Sequence, residues 1–351
     1  MLFKPLQIKS ILLKNRIAIS PMCQYSSVDG FANDWHVVHL GSRATGGAAL
    51  VMQEATAVSA AGRITLDDMG LWKDEQIEPL KRITHFLQSH AAVAGIQLAH
   101  AGRKASSTAP WKGGKVLAIK EGGWIPLAPS PVPYRETDPI PESLSVAGIL
   151  QVVDDFRLAA KRSLDAGFQV LEIHAAHGYL LHEFLSPLSN QRTDEYGGHF
   201  ENRIRMLLET VAAIRTVWPD RLPLFVRISA TDWADGGWNL DESVKLSSIL
   251  KQKGVDLVDV SSGGQVPNVK IQLCPGYQTP FAERIRKETG ILTGTVGLIT
   301  KPMQAEEILS SGKADLILIA RESLRNPNFP LTAAKELNTD IDWPPQYERA
   351  K

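Results

Sequence analysis

"LQVVDDFRLAAKRSLDAGFQVLEIH", residues 150–174, reads as two elements joined by a turn. Over 150–167 apolar side chains recur at helical spacing (Val153, Phe156, Ala160, Leu164), and Gly167 suits a C-cap. "QVLEIH" (169–174) is short and apolar with few interior charges, the pattern of a strand buried on both faces of a parallel sheet. The same alternation extends in both directions. Strand candidates precede it at 16–20, 49–55 and 94–100, and follow it at 223–229, 256–262, 291–295 and 315–320. Helical segments lie between them: 201–219 should stop at Pro219, and 241–254 should start on Asp241 as cap and end on Gly254. Eight strands alternating with helices is the count of an α/β protein of the (β/α)8 TIM-barrel type. An open doubly wound sheet shows the same alternation, but no GxGxxG follows the first strand.

The chain of 351 residues is 44% hydrophobic, enough for one barrel over residues 1–351. Residues 103–145 break the rhythm with many prolines and glycines and three large aromatics, Trp111, Trp124 and Tyr134. So long and aromatic a stretch reads as a capping excursion after the third strand, on the face where barrel active sites lie. Lys plus Arg equals Asp plus Glu at 38 each, with no block of like charge, so no nucleic-acid partner is expected. The two cysteines, Cys23 and Cys274, form no CxxC, which argues against a disulfide framework, a thiolate zinc site and an iron–sulfur cluster. With neither a signal-like N-terminus nor an apolar run of spanning length, the expectation is a cytoplasmic protein without membrane contact.

Polar residues at the C-terminal ends of barrel strands mark the site. In order these are "SPMCQY" (20–25), Glu54 and Ala55, Gln97 and His100, then His174, His177 and Tyr179, then Arg227. Strand seven leads into "GTVG" and strand eight ends at "IARES". The loops after strands seven and eight form the usual phosphate cradle of such barrels, with Gly297 allowing close backbone approach and Arg321 adding charge. A metal reading of His174 and His177 lacks a third ligand, so none is assigned.

These motifs together resemble the Old Yellow Enzyme family of FMN-dependent ene-reductases, in its bacterial branch that includes NADPH dehydrogenases and xenobiotic reductases. The matching stretches are "ISPMCQYSS" (19–27), "NDWHVVHL" (33–40), "IQLAHAGRKAS" (96–106), "EIHAAHGYLLHEFLSPLSNQRTDEYGGHFENRIR" (172–205), "ILTGTVGLIT" (291–300) and "QYER" (346–349). The resemblance implies a bound FMN, with NADPH or NADH as reductant and an activated alkene as acceptor. It places Ser20, Pro21, Met22, Cys23 and Ala55 along the isoalloxazine, Gln97 on its pyrimidine edge, and Arg227 beside N1. Gly297, Ala320 and Arg321 would hold the phosphate; Ala320 stands where many relatives have glycine.

The resemblance further implies that His174 and His177 donate to a substrate oxygen while Tyr179 protonates the α-carbon, with Cys23 contacting flavin and substrate. Tyr25 and Lys104 would line the substrate space. Arg349 would cross an interface into the neighbour's site in a homodimer or homotetramer. A second flavin reductase family, or a metal-dependent hydrolase on the same barrel, is the alternative. The bland readings are a packed or surface His182, a salt-bridged Arg227 and a structural Glu172.

Overall fold

The computed structural model describes residues 1–351. Its strands are β1 Leu6–Ile8, β2 Ile11–Leu13, β3 Ile17–Ile19, β4 Leu50–Ala57, β5 Val93–Ala99, β6 Leu127–Ala128, β7 Glu142–Ser143, β8 Val170–Ala175, β9 Leu224–Ser229, β10 Leu257–Ser261, β11 Leu292–Thr295 and β12 Leu316–Ile319. All eight strands expected from sequence form. They close into one barrel in the order β3-β4-β5-β8-β9-β10-β11-β12, returning to β3, with every pairing parallel.

The helices are α1 Asp34–Thr45, α2 Ile77–Ser89, α3 Val146–Asp165, α4 Leu180–Leu185, α5 Phe200–Arg203, α6 Arg205–Arg215, α7 Leu240–Gln252, α8 Thr279–Thr289, α9 Pro302–Ser310, α10 Arg321–Arg325 and α11 Phe329–Glu336. Strands such as β4, β8 and β9 are buried at every residue, because one face fills the barrel and the other lies under helices. α3 shows the outer layer: Ile149, Val152, Val153, Phe156 and Ala160 face inward, and the Ser145 hydroxyl accepts from Gly148 N at 3.1 Å as cap. Gly167 follows its end at φ +87°, as expected of that glycine.

Two expectations need correction. α7 is capped by Asn239, which accepts from Glu242 N; Asp241 sits inside the first turn, where its charge suits the helix dipole. The helix expected over 201–219 is divided at Ile204 and ends at Arg215. Arg203 turns inward there, donating to the carbonyls of Leu185 and Gly198 and pairing with Glu242, while Trp218 buries itself beyond the helix and donates to Pro223 O at 3.1 Å. The excursion over 103–145 has structure of its own: β6 and β7 pair in parallel, and 3-10 turns form at Pro110–Lys112 and Ile119–Glu121. Arg192 clamps it to the barrel through Pro129 O (3.0 Å) and Leu144 O (2.5 Å). No helix is long and apolar enough to cross a membrane.

Candidate active site

β8 delivers His174 at the barrel rim, and the chain then turns sharply through His177 (φ +60°) and Gly178 (φ +72°) before α4. A Cβ on Gly178 would meet Gly264 O at 2.2 Å, and one on Gly264 would meet the His177 backbone at 2.7 Å. The loops after β8 and β10 thus touch backbone to backbone. A non-glycine residue at positive φ is strained, and such strain collects at functional sites. His177 is held there by its own N–H, which donates to Ser229 Oγ at 2.9 Å.

The two imidazoles stand perpendicular, their centroids 5.1 Å apart, with His177 Nδ1 3.4 Å from His174 Nε2. Ala176 N donates to His174 Nδ1 at 3.3 Å, so the ring hydrogen of His174 belongs on Nε2. His177 Nε2 lies 2.7 Å from Ser261 Oγ. Burial, then the charge of Arg227, holds both imidazoles well below the usual histidine pKa, so both are neutral. Tyr179 meets His174 edge-on at 5.0 Å, and burial keeps its phenol protonated well above the usual range.

His182 is neither solvent-exposed nor idle. It is fully buried, 2.9 Å from Asp232, and its Nδ1 accepts from Gly178 N at 2.9 Å. Asp232 in turn accepts from Ser186 Oγ at 2.6 Å and Trp238 N at 2.8 Å. His182 therefore braces the turn that presents His177 and Tyr179.

Opposite, Ser20, Pro21, Met22, Cys23 and Tyr25 follow β3. Buried Glu54 anchors this segment, accepting from Gln24 N at 2.6 Å and lying 3.4 Å from His36 Nε2. Tyr25 is held at φ +47°, its ring against Trp111 at 5.8 Å. The half-buried Cys23 thiol is pushed up by burial, then by Glu54 and Asp68, and stays uncharged. Ala55 lies buried at a register shift in β4.

Below the rim, buried Gln97 donates to Glu172 Oε1 at 2.7 Å, which supplies the partner Glu172 requires. Burial raises the Glu172 carboxyl, and the neighbouring Asp259 raises it further. Arg227 lies 3.1 Å from Asp259 and donates to Ser20 Oγ at 3.2 Å. It is thus salt-bridged inside the barrel and also reaches the β3 segment.

A cavity of about 230 Å³ opens beside it, lined by Arg227, Tyr277, Gly297, Ala320 and Arg321 among others. Gly297 is at φ +125°, and a Cβ there would crowd Tyr277 and Gln278 at 2.9 Å. Arg325 is paired with Glu322, whereas the exposed Arg321 has no carboxylate partner. An unneutralised guanidinium, a bare glycine backbone and open volume fit a phosphate-bearing cofactor. Lys104 is no free surface lysine: its Nζ donates to His177 O at 2.8 Å and Gly264 O at 2.5 Å. Arg349 alone stands apart, exposed in the 3-10 turn Pro345–Ala350.

Sequence reasoning passed over Ser261, Gly264 and the His182–Asp232 brace. Ser261 was within reach of the strand-end rule, since "DLVDVSS" closes a barrel strand; Gly264 and Asp232 act only through contacts distant in sequence.

The NADH:flavin oxidoreductase / NADH oxidase family matches residues 1–340. An NADPH dehydrogenase of Geobacillus sp. (strain WCH70) is 49% identical over 351 residues, covering 99% of this chain and 98% of the relative. One from Listeria innocua serovar 6a is 50% identical at the same coverage. A morphinone reductase solved in complex with tetrahydroNAD superposes with a TM-score of 0.80 at 26% identity, covering 98% of this chain and 93% of that one. These matches set aside the metal-dependent hydrolase. A barrel whose relatives share half its residues along their whole length leaves one assignment: the chain belongs to the NADH:flavin oxidoreductase / NADH oxidase family, as an oxidoreductase of the Old Yellow Enzyme type.

Proposed function

We propose that the protein is an FMN-dependent NAD(P)H oxidoreductase that reduces activated alkenes such as enones, maleimides and nitroalkenes. The observation that carries the proposal is the pair of neutral imidazoles at the end of β8, with a protonated phenol packed against one of them. Bound FMN supplies the two-electron chemistry between nucleotide and acceptor. Gly297, Ala320 and Arg321 would hold its phosphate, Arg227 and Gln97 its pyrimidine side, and Ser20 to Cys23 with Ala55 its ring.

His174 and His177 orient an acceptor oxygen by N–H donation. Negative charge that grows on this oxygen is met by fixed dipoles in a dry site, each donor worth roughly 3 kcal/mol. Tyr179 holds the proton destined for the α-carbon. A phenol suits this task because it stays protonated at working pH yet can give its proton to an enolate-like carbon. Cys23 offers an uncharged thiol to the same space, with Tyr25 and Lys104 on its walls. Arg349, with "QYER", would complete the site of a second copy in a homodimer or homotetramer, and the setting would be the cytoplasm. NADPH-dependent reduction of 2-cyclohexenone tests the reading. Turnover that falls about 10²-fold in His177→Ala supports it, and turnover indifferent to His174 and His177 contradicts it.

A further inference from the structure

Tyr179 borders a second space. A cavity of about 250 Å³ opens between its ring, the turn Gly102–Lys104 and the capping excursion. Arg103, Lys104 and Arg135 line it, and Asp138 is the one carboxylate in its wall. Arg135 is more than half exposed and only loosely paired, its Nη1 3.9 Å from Asp138. The Arg103 guanidinium spends its hydrogens on carbonyls: Val132 O at 3.2 Å, Pro133 O at 3.3 Å and Gln265 O at 2.6 Å. Its charge meets no carboxylate in an ion pair. Glu183, buried nearby, accepts only the Arg103 backbone N–H at 2.8 Å, and burial pushes its carboxyl up to about 8, so it is uncharged near neutrality. Lys104 has two of its three hydrogens on His177 O and Gly264 O, leaving one for the cavity. The Tyr134 ring lies beside all three cations, at 4.2 Å from Lys104 Nζ, 5.5 Å from Arg135 and 5.8 Å from Arg103.

Carbonyls hold Arg103 and Lys104 in place, but carbonyls do not cancel their charge, and with Arg135 they face one carboxylate and repel one another. The imbalance is relieved by an arriving anion. We propose that this cleft binds an anionic group, a phosphate or carboxylate, of the ligand whose reacting end lies at Tyr179, with Arg135 and Lys104 as its partners. The inference rests on the ene-reductase reading and deepens it. Two sources carry such a group: the phosphates of the nicotinamide nucleotide, and a carboxylate on the alkene.

Arg135→Gln separates them, because it removes charge at the mouth of the cleft without touching His174, His177 or Tyr179. Dissociation constants for NADPH and NADH are read from equilibrium titration and from anaerobic flavin reduction. KM is measured for 2-cyclohexenone and for a carboxylated enone. The expected result is an approximately tenfold weaker NADPH, an unchanged limiting rate of reduction, an unchanged KM for neutral 2-cyclohexenone, and recovery in Arg135→Lys. A loss for both nucleotides places the pyrophosphate in the cleft, and a loss for NADPH alone places the 2′-phosphate there. A loss confined to the carboxylated enone places the substrate there. Unchanged affinity for every anionic ligand, or an equal loss for neutral 2-cyclohexenone, overturns the proposal. Nucleotide that binds the wild-type enzyme without reducing its flavin refutes the functional reading instead, while the titration still judges the cleft.

Discussion

Tyr179 and the two imidazoles divide the chemistry, and substitutions should divide it too. Tyr179→Phe is expected to slow alkene reduction by about 10²-fold while leaving flavin reduction by NADPH near wild type in stopped-flow traces. The pH dependence follows from the direction of each shift. His174 and His177 titrate well below the ordinary value of 6.5, so the alkene half-reaction should show no loss as pH falls through 6.5. Lys104 behaves oppositely. Burial, then Arg103, lowers it to about 7; Glu183 opposes the shift and Arg135 adds to it. Its charged form prevails below that value, so NADPH binding should weaken as pH rises through about 7. Titrations across that range check the sign. At this scale the sequence made the donors readable, because "HAAHGY" names them. It could not show that Ser261 meets His177, since that contact joins residues 84 positions apart.

At the scale of elements, the turn after β8 is where local geometry and site meet. Gly178→Ala would place a methyl 2.2 Å from Gly264 O at a φ of +72°. We expect a loss of about 1–3 kcal/mol, read as a lower Tm, together with slower alkene reduction, because His177 and Tyr179 flank the displaced residue. Asp232→Ala should cost about 1–3 kcal/mol, since it removes the acceptor that buried His182, Ser186 and Trp238 N share, and chemical denaturation measures it. The barrel strands were legible because burial on both faces leaves a plain apolar run. β1 and β2 were not, because each has three residues and buries only two of them, too short for any period to register. The division at Ile204 was hidden for a different reason: it depends on where the Arg203 guanidinium finds its carbonyls, which no helical periodicity records.

For the whole molecule, the proposed assembly and cofactor can each be tested. Arg349 and Tyr347 lie exposed at the C-terminus, which suits a segment whose partner is another copy. Truncation after Pro345 should raise substrate KM with FMN retained. Mixing that protein with a His177→Ala, Tyr179→Phe variant should restore near-normal KM in hybrid dimers. Unchanged KM in the truncated protein would make Arg349 a surface charge. The barrel and its rim were legible as a whole because strand ends converge by construction. The cationic cleft was not, because Arg103, Lys104 and Arg135 come together only when the excursion folds back. The central claim, a flavin enzyme that moves electrons from nucleotide to alkene, is tested most directly by the visible spectrum of the purified protein under anaerobic conditions. The account predicts a yellow protein whose blue absorbance is bleached by NADPH and restored by 2-cyclohexenone. A colourless protein that takes up no added FMN, or a bleached one that no activated alkene reoxidises, would contradict it.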